Sequence, residues 1–261
     1  VTRLAFFGGV YSNSRALAAA IADARRWGAE GLYALGDFGA FGPYPDRVFP
    51  ILLSAGVEAI QGNYEESLST DASDCHCGYT DPRDNHFAAL SYGYTAEKTS
   101  SEWKRWMATL PKTRRLDVGG RRILLVHGSP RKINEFLWES TSPEPFLEKL
   151  LSDHDADVMV CTHTGLHWQR RLPSGRLVVN SGALGRPAND GRTEVWYARL
   201  EVGVATRARA ELSPVEYDFE AMARDMEQEK LPGEFVETIR TGWWTTCLEV
   251  LPSKERSRGR Y

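Results

Sequence analysis

Short apolar runs alternate with helix-periodic segments through the first sixty residues, and this alternation restricts the possible folds more than any other feature of the chain. Leu4-Ala5-Phe6-Phe7, closed by Gly8-Gly9, reads as a buried strand. Ser12 or Asn13 can cap a helix that carries Leu17, Ile21 and Ala24 on one face and closes at Gly28. Leu32 to Leu35 is a second strand. Pro45 opens a second helix with Val48, Ile51, Leu52 and Ala55 on one side, and Val57 to Ile60 is a third strand. Strand, helix, strand, helix, strand predicts an α/β layer with parallel pairing, and 261 residues suffice for one layered domain.

Residues 65–100 interrupt the rhythm. They are rich in Ser, Asp, Thr, Tyr and Gly with weak periodicity, and read as an irregular loop or cap. A helix is expected over Glu102 to Leu110. A hairpin follows, with Gly119-Gly120 between Arg115–Val118 and Ile123–Val126. Ser142-Pro143-Glu144 starts a helix with Phe146, Leu147, Leu150 and Leu151 inward. Val158 to Cys161 is a strand, Pro173-Ser174-Gly175 turns a second hairpin, and residues 193–212 carry two strands joined at Gly203. The chain reads as helical from Tyr217, with Trp243-Trp244 as core packing and Ser253 to Tyr261 as a solvated basic tail. The expected division is a domain over 1–212 and a helical extension over 213–261 packed on it.

With 32 Lys and Arg against 35 Asp and Glu, the net charge of -3 gives no argument for nucleic acid or an acidic membrane surface. No apolar run is long enough to span a bilayer. Ala16 to Ala20 superficially resembles a signal-cleavage region, but the apolar stretch before it is short and broken by glycines, so no signal peptide is expected. Four cysteines are too few for a disulfide scaffold, and a cytoplasmic protein is the expectation. Cys75-His76-Cys77 has a poor spacing for zinc and reads as part of a loop over the site, from which His76 or His86 could reach inward.

Four apolar strands each end in a metal-competent residue: Asp37, Asn63, His127 and His163. Sites in open α/β sheets form at the carboxyl ends of strands. A mixed oxygen and nitrogen donor set suits a transition metal. The motifs Gly36-Asp37, Gly62-Asn63, Val126-His127-Gly128 and Thr162-His163-Thr164, with Asn180-Ser181-Gly182-Ala183-Leu184-Gly185-Arg186-Pro187, make residues 3–201 resemble the calcineurin-like metallophosphoesterase family.

That resemblance implies a four-layer α/β/β/α sandwich and hydrolysis of a small-molecule phosphoester, by phosphodiesterase or phosphatase chemistry. Relatives of this kind hold two metals. One site uses an opening Asp-x-His and the last His of Gly-His-x-His; the other uses the Asn and two further histidines; the Asp of Gly-Asp bridges both. Here the opening motif reads Gly9-Val10-Tyr11 and the closing position is Gly165, so all three losses fall on one site. The four residues of the other site remain. One divalent transition metal, among Mn, Fe, Zn, Co and Ni, is therefore expected on Asp37, Asn63, His127 and His163.

A single metal cannot clamp both the attacking and the leaving oxygen, so side chains must help. Tyr11 stands where a ligand is lost, Tyr64 follows Asn63 where relatives often carry a histidine, and Arg186 is a candidate phosphate partner. Glu65 or His167 could contribute a proton, and Ser129 and Asn13 are weaker candidates. Two other classes stay open: a non-hydrolytic metalloenzyme with a two-histidine, one-carboxylate site, and a catalytically silent scaffold.

Overall fold

The computed structural model describes residues 1–204 and 207–259. Two five-stranded sheets face each other. The first has the order β10-β9-β1-β2-β3, built from β1 (Thr2–Phe7), β2 (Gly31–Ala34), β3 (Glu58–Ala59), β9 (Val195–Val202) and β10 (Arg209–Val215). The second has the order β4-β5-β6-β8-β7, from β4 (Thr113–Val118), β5 (Arg121–Val126), β6 (Val158–Cys161), β7 (His167–Arg171) and β8 (Leu177–Ser181). β1, β2 and β3 run parallel, as do β5, β6 and β8, while the hairpin partners are antiparallel.

The layering follows from the two-residue period of a strand. In β1, Leu4 and Phe6 join the core between the sheets, while Ala5 and Phe7 join the core under the helices. In β5 and β6, Ile123, Leu125, Val158 and Val160 point inward to the same central core. Leu124, Val126, Met159 and Cys161 point outward to α6 (Glu144–Asp153). The outer face of the first sheet is covered by α1 (Ser14–Trp27) and α2 (Val48–Ala55). Strands buried on both faces explain why these runs are continuously apolar. The result is the four-layer α/β/β/α sandwich.

Residues 65–100 depart from expectation. They contain most of α3 (Asn63–Ser69) and all of α4 (Pro82–Lys98), followed by α5 (Ser101–Ala108). Asp81 caps α4 through the amides of Arg83 and Asp84, with Pro82 in the first turn. Only the connection around residues 70–81 is irregular. Within it Cys75 and Cys77 form a disulfide, which the spacing argument did not anticipate.

In the C-terminal region, α7 (Phe219–Gln228) and α8 (Gly233–Thr241) bury Met222, Met226, Phe235 and Ile239 in the same core as α1 and α2. β10 continues to Val215, past the expected boundary at 212. The segment read as a solvated tail contains the short α9 (Ser253–Ser257), whose Glu255 is buried against Ser140. Arg260 and Tyr261 lie outside the described residues, as do positions 205 and 206 in the expected two-strand segment. Among the described residues no helix is long and apolar enough to cross a membrane.

Candidate metal centre

The carboxyl ends of β2, β5 and β6 deliver Asp37, His127 and His163 to one place. One donor atom from each lies within 4.8 Å of the others, and all three residues are buried. His127 Nε2 is 3.3 Å from Asp37 Oδ2 and 3.1 Å from His163 Nδ1. Asp37 and His163 are held at φ 55° and 69°, a backbone region that costs free energy outside glycine and recurs at functional sites. Before Asp37 the chain must turn against the β3 end. Gly36 has φ 91°, and a Cβ there would stand 2.2 Å from the Gly62 amide nitrogen, so only glycine fits.

The donor chemistry fits a cation. His127 Nδ1 donates to the Leu35 carbonyl at 2.7 Å, which turns Nε2 toward Asp37 and His163. A carboxylate oxygen and two ring nitrogens then converge, and a shared proton or a metal ion must sit among them. Burial opposes charge on His127, but Asp37, its hydrogen bond and the Leu35 carbonyl outweigh burial and hold the ring above the usual histidine pKa. His163 is pushed down to about 3 by burial and by His127, against the pull of Asp37. Burial also acts against the Asp37 carboxylate, yet the two histidines keep it below the usual carboxylate range.

Asn63 belongs to the same corner. A Cβ on the preceding Gly62 would meet Asp37 Oδ1 at 2.4 Å and His127 Cε1 at 2.9 Å. The Asn63 Nδ2 donates to the Cys75 carbonyl at 2.8 Å and lies 3.4 Å from Cys77 Sγ. Its Oδ1 is buried without a partner, a costly state unless a cation or another donor meets it. The disulfide loop thus holds the amide so that its oxygen stays free.

A pocket of about 60 Å³ adjoins this corner, and Tyr11, Asp37, Tyr64, His163 and Arg186 are on its wall. Arg186 is 6% exposed. Its Nη2 donates to the Thr246 carbonyl at 2.6 Å and its guanidinium lies 3.7 Å from the centre of the Trp244 ring. Its Nε is buried without a partner, and no carboxylate among the described residues pairs with it. Tyr64 Oη is 2.9 Å from Ser91 Oγ. Burial raises the Tyr11 and Tyr64 phenols well above the ordinary tyrosine pKa, so both stay protonated as donors.

Two positions that the resemblance assigns to the other metal are covered by rings. A Cβ on Gly9 would lie 2.6 Å from the Tyr11 ring, and a Cβ on Gly165 would lie 2.9 Å from Trp244. The tyrosine and tryptophan therefore fill the space that ligands at 9 and 165 would need.

Several expected contributors sit elsewhere. His167 stacks on Trp196 at 4.0 Å and is not on the pocket wall. Both oxygens of Glu65 accept backbone amides, from Asp37 at 2.7 Å, Phe38 at 2.9 Å and Gly62 at 2.8 Å. Glu65 is thus a staple joining the β2 and β3 ends; burial and Asp37 push its carboxyl up to about 7. His76 and His86 are exposed and do not enter the cluster. Asn13 caps α1 through the Ala16 amide, and Ser129 is tied to Glu135 and Arg131. Sequence reading missed Thr246, Cys247 and Tyr79 on the wall and the part played by Trp244. Glu65 did carry a signal, since a glutamate three residues after a helix cap is the acidic half of a capping box.

A four-layer sandwich with two histidines and a carboxylate at its strand ends defines an α/β/β/α fold with a metal-competent centre. The model of the calcineurin-like phosphoesterase superfamily domain matches residues 3–203, and the chain belongs to that superfamily. It is 19% identical over 244 residues to an uncharacterized protein of Methanocaldococcus jannaschii, covering 88% of this chain and 93% of that one. The fold is similar to a hypothetical protein from Pyrococcus horikoshii, with TM-score 0.77, 21% identity and coverage of 94% and 100% of the two chains. It is also similar to a metallophosphoesterase from Sphaerobacter thermophilus, with TM-score 0.69, 22% identity and coverage of 92% and 99%.

Proposed function

We propose that this chain is a phosphoesterase that works with one divalent transition metal, held by Asp37, Asn63, His127 and His163. The observation that carries the reading is one small pocket walled both by two members of the convergent donor set, Asp37 and His163, and by the buried guanidinium of Arg186. A divalent metal held by Asp37, Asn63, His127 and His163 would supply Lewis-acid chemistry at the pocket. Arg186 takes a phosphoryl oxygen through its fixed fork, so a guanidinium does the electrostatic work that relatives give to a second metal. Tyr11, kept protonated, donates a hydrogen bond to the same group, and Tyr64 stands as a second phenol on the wall. The Tyr11 and Trp244 rings support a one-metal site because they cover Gly9 and Gly165.

Size supports a phosphoryl group as the buried part of the substrate. At about 10–15 Å³ per water-sized group, a 60 Å³ pocket admits about four to six such groups, close to the five heavy atoms of a phosphate. The alcohol portion then projects outside. Hydrolysis of a chromogenic phosphodiester and a matching monoester tests the reading. Metal-dependent turnover that disappears in Asp37→Ala and His127→Ala is expected. Absence of turnover on both substrates with every one of Mn, Fe, Zn, Co and Ni would favour a silent scaffold.

A further inference from the structure

A second pocket, of about 320 Å³, is lined by four arginines: Arg121, Arg171, Arg176 and Arg207. It lies at the other end of the strands that carry the metal centre. Arg121 begins β5, which ends beside His127, and Val158 of the same pocket begins β6, which leads to His163. A six-residue strand at ~3.3 Å per residue puts the two sites about 20 Å apart. No residue lines both.

The charges of this pocket are poorly matched from within. Arg176 pairs with Glu148 at 3.5 Å. The one acidic residue on the wall, Asp157, is already engaged by Arg122, which reaches it with its backbone amide at 2.9 Å and its side chain at 3.3 Å. Among the described residues no carboxylate lies within ion-pair distance of Arg121, Arg171 or Arg207, although, against the effect of burial, Arg121 joins Arg122 in holding the Asp157 carboxyl below its usual range. Arg171 instead donates to two neutral carbonyls, of Gly175 at 3.0 Å and of Ala208. These bonds fix its guanidinium at the pocket, where Arg207 and Arg121 add to the burial that lowers its pKa. Arg171 and Arg207 are exposed and Arg121 and Arg176 half-buried, so solvent screens part of their mutual repulsion, and an anion bridging them relieves the rest. The chain as a whole is acidic, at -3, so the cluster is local and not a consequence of composition.

We propose that this pocket binds a compact polyanion carrying two or more phosphate-type groups, at the sheet end opposite the metal centre. Planar guanidinium forks match phosphate oxygens two at a time, and three of them without a carboxylate in ion-pair distance exceed what one phosphate needs. The volume is about five times that of the metal-side pocket, enough for a linear di- or triphosphate. A single concave site of this size favours a small polyanion over an extended nucleic-acid backbone. The proposal does not depend on the phosphoesterase reading.

Calorimetric titration of the metal-free full chain with tripolyphosphate, at low and at physiological salt, tests it. The expected result is one site whose affinity falls as salt rises. It should weaken at least about tenfold in the double variant Arg171→Gln, Arg207→Gln and stay unchanged in Arg186→Gln. Circular dichroism of the double variant should match that of the parent, which separates loss of the site from loss of the fold. Failure of the parent chain to bind at low salt overturns the proposal. So does a loss that follows Arg186→Gln, which would locate the anion at the metal centre. Tighter binding of a single-stranded oligonucleotide than of tripolyphosphate would overturn the choice of a small ligand.

Discussion

Replacing Glu65 by alanine should destabilise the metal-free chain severely, although Glu65 is neither a metal donor nor on the pocket wall. The carboxylate is fully buried and accepts the amides of Asp37, Phe38 and Gly62. Alanine leaves three buried donors without acceptors. At ~1–3 kcal/mol for each unsatisfied group, the loss spans roughly 3–9 kcal/mol, and water entering the vacated space brings the expectation to about 4 kcal/mol. Glu65→Gln provides the graded comparison. One carboxamide oxygen still accepts, while its NH2 opposes at least one backbone N–H, so about half of that loss is expected. Urea denaturation in chelator, followed by circular dichroism, measures both variants. If alanine unfolds the chain outright, the glutamine variant still gives a midpoint. A loss below about 1 kcal/mol for Glu65→Ala with native spectra would refute the staple and return Glu65 to the list of possible proton donors.

Other consequences concern charge. Arg186→Ala should lower turnover by about 10²- to 10³-fold with metal content unchanged, the usual cost of losing one oriented donor to a developing oxyanion. Arg186→Lys should recover only part, because lysine lacks the flat face that stacks on Trp244; full activity in the alanine variant would remove Arg186 from the mechanism. His167 is pushed down to about 4, chiefly by burial, from an unfolded value of 6.5. The unfolded chain therefore binds the extra proton first as pH falls, and stability should drop between about pH 6.5 and 4 and level below it. The drop, read from urea midpoints, should be smaller in His167→Gln; equal drops would show that the buried ring is not its source.

The parts of this fold that were readable are those where burial is uniform along an element. Strands packed on both faces show as unbroken apolar runs, and the polar residue that ends each run marks where the chain leaves the sheet. Asp37, His127 and His163 were found for that reason. The helix α4 was missed because three of its five buried positions, Asp84, Ser91 and Thr95, are polar, which hides a regular inward face from any hydrophobic period. Their polarity has a purpose: Ser91 and Thr95 accept the amides of Phe41 and Ala40, and Asp84 accepts that of Val250. They satisfy backbone groups that irregular segments leave over. Likewise, nothing local connects Trp244 with Gly165 or Arg186. That contact arises from the C-terminal segment folding back over the site, and a single sequence carries no trace of it.

The one-metal proposal gives rings and a guanidinium the place that a second ion has in relatives. Elemental analysis of the purified chain, as isolated and after reconstitution with each candidate metal, decides it without any knowledge of the substrate. The predicted result is one metal per chain, lost in His163→Ala and unchanged in Arg186→Ala. Two metals per chain would mean that the site accommodates a second ion despite Tyr11 and Trp244, and absence of binding under every condition would mean that Asp37, His127 and His163 meet only around a proton.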